Sequence, residues 1–100
     1  MMHQAFFWLR DPTDAGARAA LIAGLRTLKA IPQVHALRIT VPAPTEARDV
    51  VDASWSVCET MEFATLADQA AYQPHPIHRK FVADCGHLWS RVVVYDSVDV

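Results

Sequence analysis

The chain has 100 residues, 52% of them hydrophobic and only three of them glycine, which predicts one ordered domain over residues 1–100. Its formal net charge is −2, and its nine lysine and arginine residues are scattered, so the sequence offers no basic patch for a nucleic acid. No apolar run approaches the roughly 18 residues that a membrane span requires.

The cysteines and the N-terminus predict the cellular setting. Cys58 and Cys85 are too few and too far apart for a disulfide framework or a CxxC site. We therefore expect two reduced, mostly buried thiols in a cytoplasmic protein. The apolar N-terminal stretch has no cationic segment before it and no small-residue cleavage site, so it predicts a strand and not a signal peptide.

The first half of the chain predicts a strand, a helix and a second strand. In Met2–Leu9 both alternating faces are apolar, which indicates that both are covered in the folded protein. Thr13 or Asp14 is a natural N-cap for a helix that extends to Lys29, with leucines along one stripe. An Ile-Pro pair ends this helix, and Val34–Val41 then predicts the second strand.

The second half predicts two more strands around a divided helical region. Ala53–Phe63 alternates as a third strand, with Glu59 as an acid on an otherwise apolar face that includes Trp55. Glu59 either projects into a cavity or lies in water at the edge of the sheet, and we favour the edge. The remaining elements are a short helix at Thr65–Tyr72, a longer helix from Pro76 to about Trp89 and a final strand at Arg91–Val98.

The order of these elements is βαββαβ, which predicts the α+β, ferredoxin-like arrangement of a four-stranded antiparallel sheet with helices on one face. The helices of such a fold leave the second face of the sheet open. The first and last strands are nevertheless apolar on both faces. We therefore predict a homodimer in which the sheets of two copies pack face to face.

The stretch with most chemical potential is Tyr72–His78, sequence YQPHPIH, where the short helix ends and the longer one begins. Pro76 suits the first helical position, and His75 before it is pushed towards a cap conformation. His78 then falls in the first turn, where the helix macrodipole favours a neutral imidazole. A neutral imidazole beside the Tyr72 phenol suits proton transfer. Alternatively, these side chains only cap and pin the hinge.

Other kinds of site have less support. The histidines lack converging carboxylates or thiolates at a metal-binding spacing, so we predict no metal and no other cofactor. The sequence contains no glycine-rich phosphate loop, no nucleophile elbow and no dinucleotide fingerprint.

Three features together resemble the stress-responsive dimeric α/β-barrel (Dabb) family over nearly the whole chain. They are His3 at the start of an aromatic strand, the Tyr72-x-x-His75-Pro76-x-His78 motif and the final strand Val92–Asp96. The resemblance implies two ferredoxin-like protomers that close into a dimeric barrel, each with a cavity between sheet and helices. In one member, the plant olivetolic acid cyclase, residues matching His78 and Tyr72 carry an aldol cyclisation, and a histidine matching His3 lines the site.

Two classes of function follow from these observations. The first is a homodimer that binds a small apolar or aromatic ligand at the hinge, with His3, His75, Phe7 and Trp55 as expected ligand contacts. The second is a cofactor-independent, cyclase-like aldol lyase for a β-keto or polyketide-like substrate. In that case, His78 is the general base and Tyr72 the hydrogen-bond donor.

Overall fold

Four strands and three α-helices make up the structure, a computed structural model that describes all residues 1–100. In chain order they are β1 (Met2–Leu9), α1 (Ala15–Arg26), β2 (Ala36–Thr40), β3 (Val57–Glu62), α2 (Leu66–Tyr72), α3 (Pro76–Cys85) and β4 (Trp89–Ser97). All neighbouring strands are antiparallel, in the order β2-β3-β1-β4. The predicted α+β, ferredoxin-like fold is therefore confirmed. No helix is long and apolar enough to cross a membrane.

The strand β3 begins later than its alternating pattern predicts. The Asp52 Oδ1 atom accepts hydrogen bonds from the backbone N–H of Ser54 at 2.9 Å and from its hydroxyl at 2.6 Å. The Asp52 carbonyl accepts a third hydrogen bond from Trp55 Nε1 at 2.9 Å. Such local bonds compete with strand pairing, so the ladder starts only at Val57.

The helices also end earlier than their apolar stripes predict. α1 is capped by Asp14, whose side chain accepts a hydrogen bond from the Ala17 N–H, and it gives way to a 3-10 turn at Thr27–Ala30. α3 is followed by a second 3-10 turn at Gly86–Leu88. Trp89 therefore begins β4 instead of ending the helix.

One face of the sheet packs against the helices and forms the core. Alternate residues of β1 point to this face, and all of them are buried. They are His3, Ala5, Phe7 and Leu9. Leu21 and Leu25 of α1 and Phe81 of α3 pack over them. Among these buried β1 residues only His3 is polar, and it marks the place where the site forms.

The opposite face of the sheet carries aromatic side chains outside this core. Phe6 pairs with Val93 of β4, and its ring contacts Tyr95 and Trp55 edge to face, with centroids 5.9 and 5.2 Å apart. The loop before β3 therefore covers part of this face with Trp55. Tyr95 stays 62% exposed. The helices cover only one face, as the element order predicts.

Candidate functional site

The hinge between α2 and α3 follows the local rules of helix starts. His75 is the N-cap of α3, and its Nδ1 atom accepts a hydrogen bond from the Ile77 N–H at 3.1 Å. Pro76 occupies the first turn, where a missing N–H costs nothing. In a continuous helix the Ile77 N–H would have bonded to the carbonyl of Gln73. The cap therefore leaves that carbonyl free for another donor.

His78 takes the hydrogen bond that the cap leaves open. Its Nδ1 atom lies 2.9 Å from the carbonyl oxygen of Gln73. Because a carbonyl oxygen only accepts, Nδ1 must carry the hydrogen. In the neutral ring the lone pair is then on Nε2. The ring packs against Tyr72, with centroids 4.6 Å apart, which fixes its orientation.

Tyr72 is the last residue of α2 and is 1% exposed. Its ring also contacts Phe63 at a centroid distance of 5.3 Å and His3 at 6.0 Å. Burial, reinforced by the nearby Glu59 carboxylate, raises the pKa of the Tyr72 phenol. The phenol therefore stays protonated at physiological pH and is available as a hydrogen-bond donor.

His3 on β1 lies between two carboxylates, one on each of the neighbouring strands β3 and β4. Its Nδ1 atom is 2.6 Å from Asp96 Oδ1 on β4, and its Nε2 atom is 3.6 Å from Glu59 Oε1 on β3. The side chains of His3 and Glu59 are 5% and 3% exposed, whereas that of Asp96 is 47% exposed. Burial by itself lowers the pKa of His3, but the two carboxylates outweigh it and the pKa is raised.

One cavity of about 160 Å³ lies between the sheet and the α2–α3 hinge. Its polar groups are His3, Glu59, Tyr72, Gln73 and His78. Its aromatic walls are Phe7, Phe81 and Trp89. Val92 and Val94 of β4, which are 37% and 46% exposed, form its outer rim.

Four of the six residues that the sequence nominates meet in this cavity: His78, Tyr72, His3 and Phe7. His75 does not line it, because its ring is used as the cap of α3. Trp55 does not line it either. The turn at Asp52 takes Trp55 out of the β3 alternation and places its ring against Phe6 on the other face of the sheet.

Glu59 also lines the cavity, and its predicted location is wrong. We expected it in water at the edge of the sheet, but β3 lies between β2 and β1 and has no free edge. In the β1–β3 register Glu59 is opposite Ala5, so it shares the buried face with His3. The acid on an apolar strand face was the signal for a cavity residue. No group of three or more histidine, cysteine or acidic side chains in the chain is arranged to hold a metal ion.

Fold and site together define a ferredoxin-like α+β protein with an acid–base cavity beneath its helices. The family model for the stress-responsive A/B barrel domain (Dabb) matches residues 1–99, so the chain belongs to this family. Comparison with curated proteins gives no match.

Solved structures share the fold at low sequence identity. A Dabb family protein from Mesorhizobium loti has a TM-score of 0.77 at 23% identity, covering 99% of this chain and 95% of that one. A dimeric ferredoxin-like protein of unknown function from Thermobifida fusca has a TM-score of 0.75 at 20% identity, with 94% and 85% covered. The hydroxynitrile lyase of Passiflora edulis has a TM-score of 0.77 at 17% identity, with 94% and 87% covered. At these identities the likeness shows the fold alone.

The raised pKa of His3 predicts a pH-dependent contribution to stability. Because folding favours the imidazolium, the contribution is full below the unfolded value of 6.5 and is lost as the pH rises through the higher folded value. In urea unfolding, the stability advantage of wild type over His3→Asn should therefore be greatest below pH 6.5 and should shrink as the pH rises above that value. His87→Asn, which removes an exposed histidine, is the control. An advantage of wild type over His3→Asn that grows with pH would contradict the assignment.

Proposed function

We propose that this protein is a homodimer that binds a small aromatic or apolar ligand in the cavity between the sheet and the Tyr72–His78 hinge. The observation that carries the proposal is the cavity itself, whose volume is about 160 Å³. An engineered apolar cavity of about 150 Å³ takes up benzene, so this volume suits a single substituted ring. Apolar walls with a few convergent polar groups are typical of small-molecule sites.

Blocking the rim of the cavity tests ligand binding directly. Val94→Trp places a large ring at the rim, and because Val94 is 46% exposed the change leaves the core intact. We expect the affinity for benzaldehyde, measured by chemical-shift titration of the full chain, to fall about tenfold or more. Val98→Trp is the control, because Val98 is 64% exposed and lies outside the cavity. Equal affinities of wild type and Val94→Trp would place the ligand elsewhere.

The open face of the sheet supports the homodimer. Tyr95 and Met2 on this face are 62% and 38% exposed, and Phe6 and Trp8 lie on the same side of the sheet. A second copy packed on this face would bury these side chains. The Thermobifida fusca protein of the same fold is described as dimeric.

A charge on this face tests the homodimer. We expect Tyr95→Asp to yield a monomer in analytical ultracentrifugation, because the buried carboxylate would have no partner in the interface. Leu66→Asp introduces the same charge at a 64% exposed site on α2 and should leave the dimer unchanged. A wild-type chain that sediments as a monomer would refute the homodimer, and a Tyr95→Asp dimer would move the interface to another surface.

A second candidate function is cofactor-independent lyase chemistry, which the hydrogen bond from His78 Nδ1 to Gln73 favours. His78 Nε2 takes the proton of a substrate hydroxyl, the adjacent C–C bond breaks, and the oxygen becomes a carbonyl. The departing carbanion takes the proton back from the imidazolium, so the reaction is balanced without a cofactor. Tyr72 donates a hydrogen bond to the developing charge. The same steps in reverse form an aldol, and one solved structure of the same fold is a hydroxynitrile lyase.

Benzaldehyde release tests the lyase chemistry with two probes, mandelonitrile and the aldol adduct of benzaldehyde and acetone. We expect His78→Ala to lower the rate by about 10²-fold or more, because it removes the base, and Tyr72→Phe to lower it less. His87→Ala removes an exposed histidine outside the cavity and is the control. Full activity of a dimeric His78→Ala variant, or a wild-type rate equal to background for both probes, would rule out this candidate. Ligand binding would then stand alone.

A further inference from the structure

The Glu59 carboxylate is buried with only one of its two oxygens in contact with a charged partner. Its side chain is 3% exposed, and Oε1 lies 3.6 Å from His3 Nε2. The second oxygen, Oε2, is buried and has no hydrogen-bond partner within the chain. A buried acceptor without a donor is costly, and more so when it is charged. Glu59 lines the cavity, so a molecule in the cavity can supply the missing donor.

The other groups of the cavity do not satisfy this oxygen. Phe7 and Ala5 on the adjacent strand have no donor in their side chains. His3 has both ring nitrogens committed, one to Asp96 and one to Glu59 Oε1. Two further buried polar atoms lack partners, Arg18 Nε and Gln33 Oε1, but neither residue lines this cavity. Glu59 is thus the unsatisfied acceptor of this site.

We propose that Glu59 Oε2 accepts a hydrogen bond from a hydroxyl group on the ligand, so that the cavity selects phenols and benzylic alcohols over hydrocarbons of the same size. This inference rests on the ligand-binding function proposed above and narrows its ligand class. A hydroxyl fits better than an ammonium group for two reasons. The apolar walls make transfer of a full charge expensive. A cation at Glu59 would also lie close to the His3 imidazolium.

The selectivity follows from the geometry of the two ends of the ligand. The aromatic ring packs against Phe7, Phe81 and Trp89, which do not distinguish phenol from toluene. The hydroxyl alone makes the difference, because a hydrogen bond to a carboxylate is stronger than one between neutral groups. A ligand without a hydroxyl leaves the buried Oε2 acceptor unpaired, which increases the discrimination against that ligand.

Phenol and toluene, two ligands with the same number of heavy atoms, test the proposal in chemical-shift titrations of the full chain. We expect wild type to prefer phenol. Glu59→Leu should lower the ratio of the phenol affinity to the toluene affinity about tenfold. Glu59→Gln, which keeps the size and one acceptor but removes the charge, should lower the ratio less. Differences in hydrophobicity between the probes cancel when ratios are compared between variants. Glu62→Gln removes a charge from the other face of the same strand and should leave the ratio unchanged.

Each outcome separates this inference from the function on which it rests. If wild type binds both probes and both Glu59 variants keep the wild-type ratio of affinities, a buried water satisfies Oε2, or the hydroxyl contacts His78 or Tyr72. The specificity inference then falls, while ligand binding stands. If wild type binds neither probe, both proposals fall. Should Glu59→Leu fail to fold, the isosteric Glu59→Gln decides the question alone.

Discussion

The site depends on one buried interaction, the His3 imidazole held between Asp96 and Glu59. The three residues come from β4, β1 and β3, so the interaction joins neighbouring strands at the end of the sheet where the cavity forms. Without His3, Glu59 would be a buried carboxylate with no compensating charge, which is strongly unfavourable. The His3 imidazolium therefore allows a polar cavity floor to form inside an otherwise apolar core. The Tyr72 and His78 rings of the hinge line the same cavity.

The hinge contributes its chemistry through an exchange of hydrogen bonds. The His75 ring caps the Ile77 N–H, and this leaves the Gln73 carbonyl free to orient His78. His75 thus does not line the cavity, but its cap determines which nitrogen of His78 carries the hydrogen. Pro76 supports the exchange, because a proline has no N–H to bring to a continuous helix. A structural cap and a candidate functional residue are in this way two consequences of the same motif.

Local patterns predict much of this molecule, and non-local contacts explain the rest. The boundaries of β1 follow from alternation, and the cap and first turn of α3 follow from the chemistry of a His-Pro pair. The predicted position of Trp55 was wrong, because its side-chain hydrogen bond to Asp52 overrides the alternation of the strand pattern. Alternation also placed Glu59 on the apolar face, but it could not show that His3, far away in sequence, supplies the countercharge. Pairing of that kind depends on register between strands, which no single stretch encodes.

The two histidines of the cavity differ in what faces their nitrogens. Both nitrogens of His3 face carboxylates, so its imidazolium is stabilised and it has no free lone pair to offer. His78 lies in the first turn of α3 and faces a carbonyl through Nδ1 only. The His3 imidazolium carries a hydrogen on each nitrogen and cannot accept another proton, whereas Nε2 of His78 in its neutral form has a free lone pair. If the cavity performs acid–base chemistry, its base is therefore His78, and His3 acts as the fixed charge that keeps Glu59 in place.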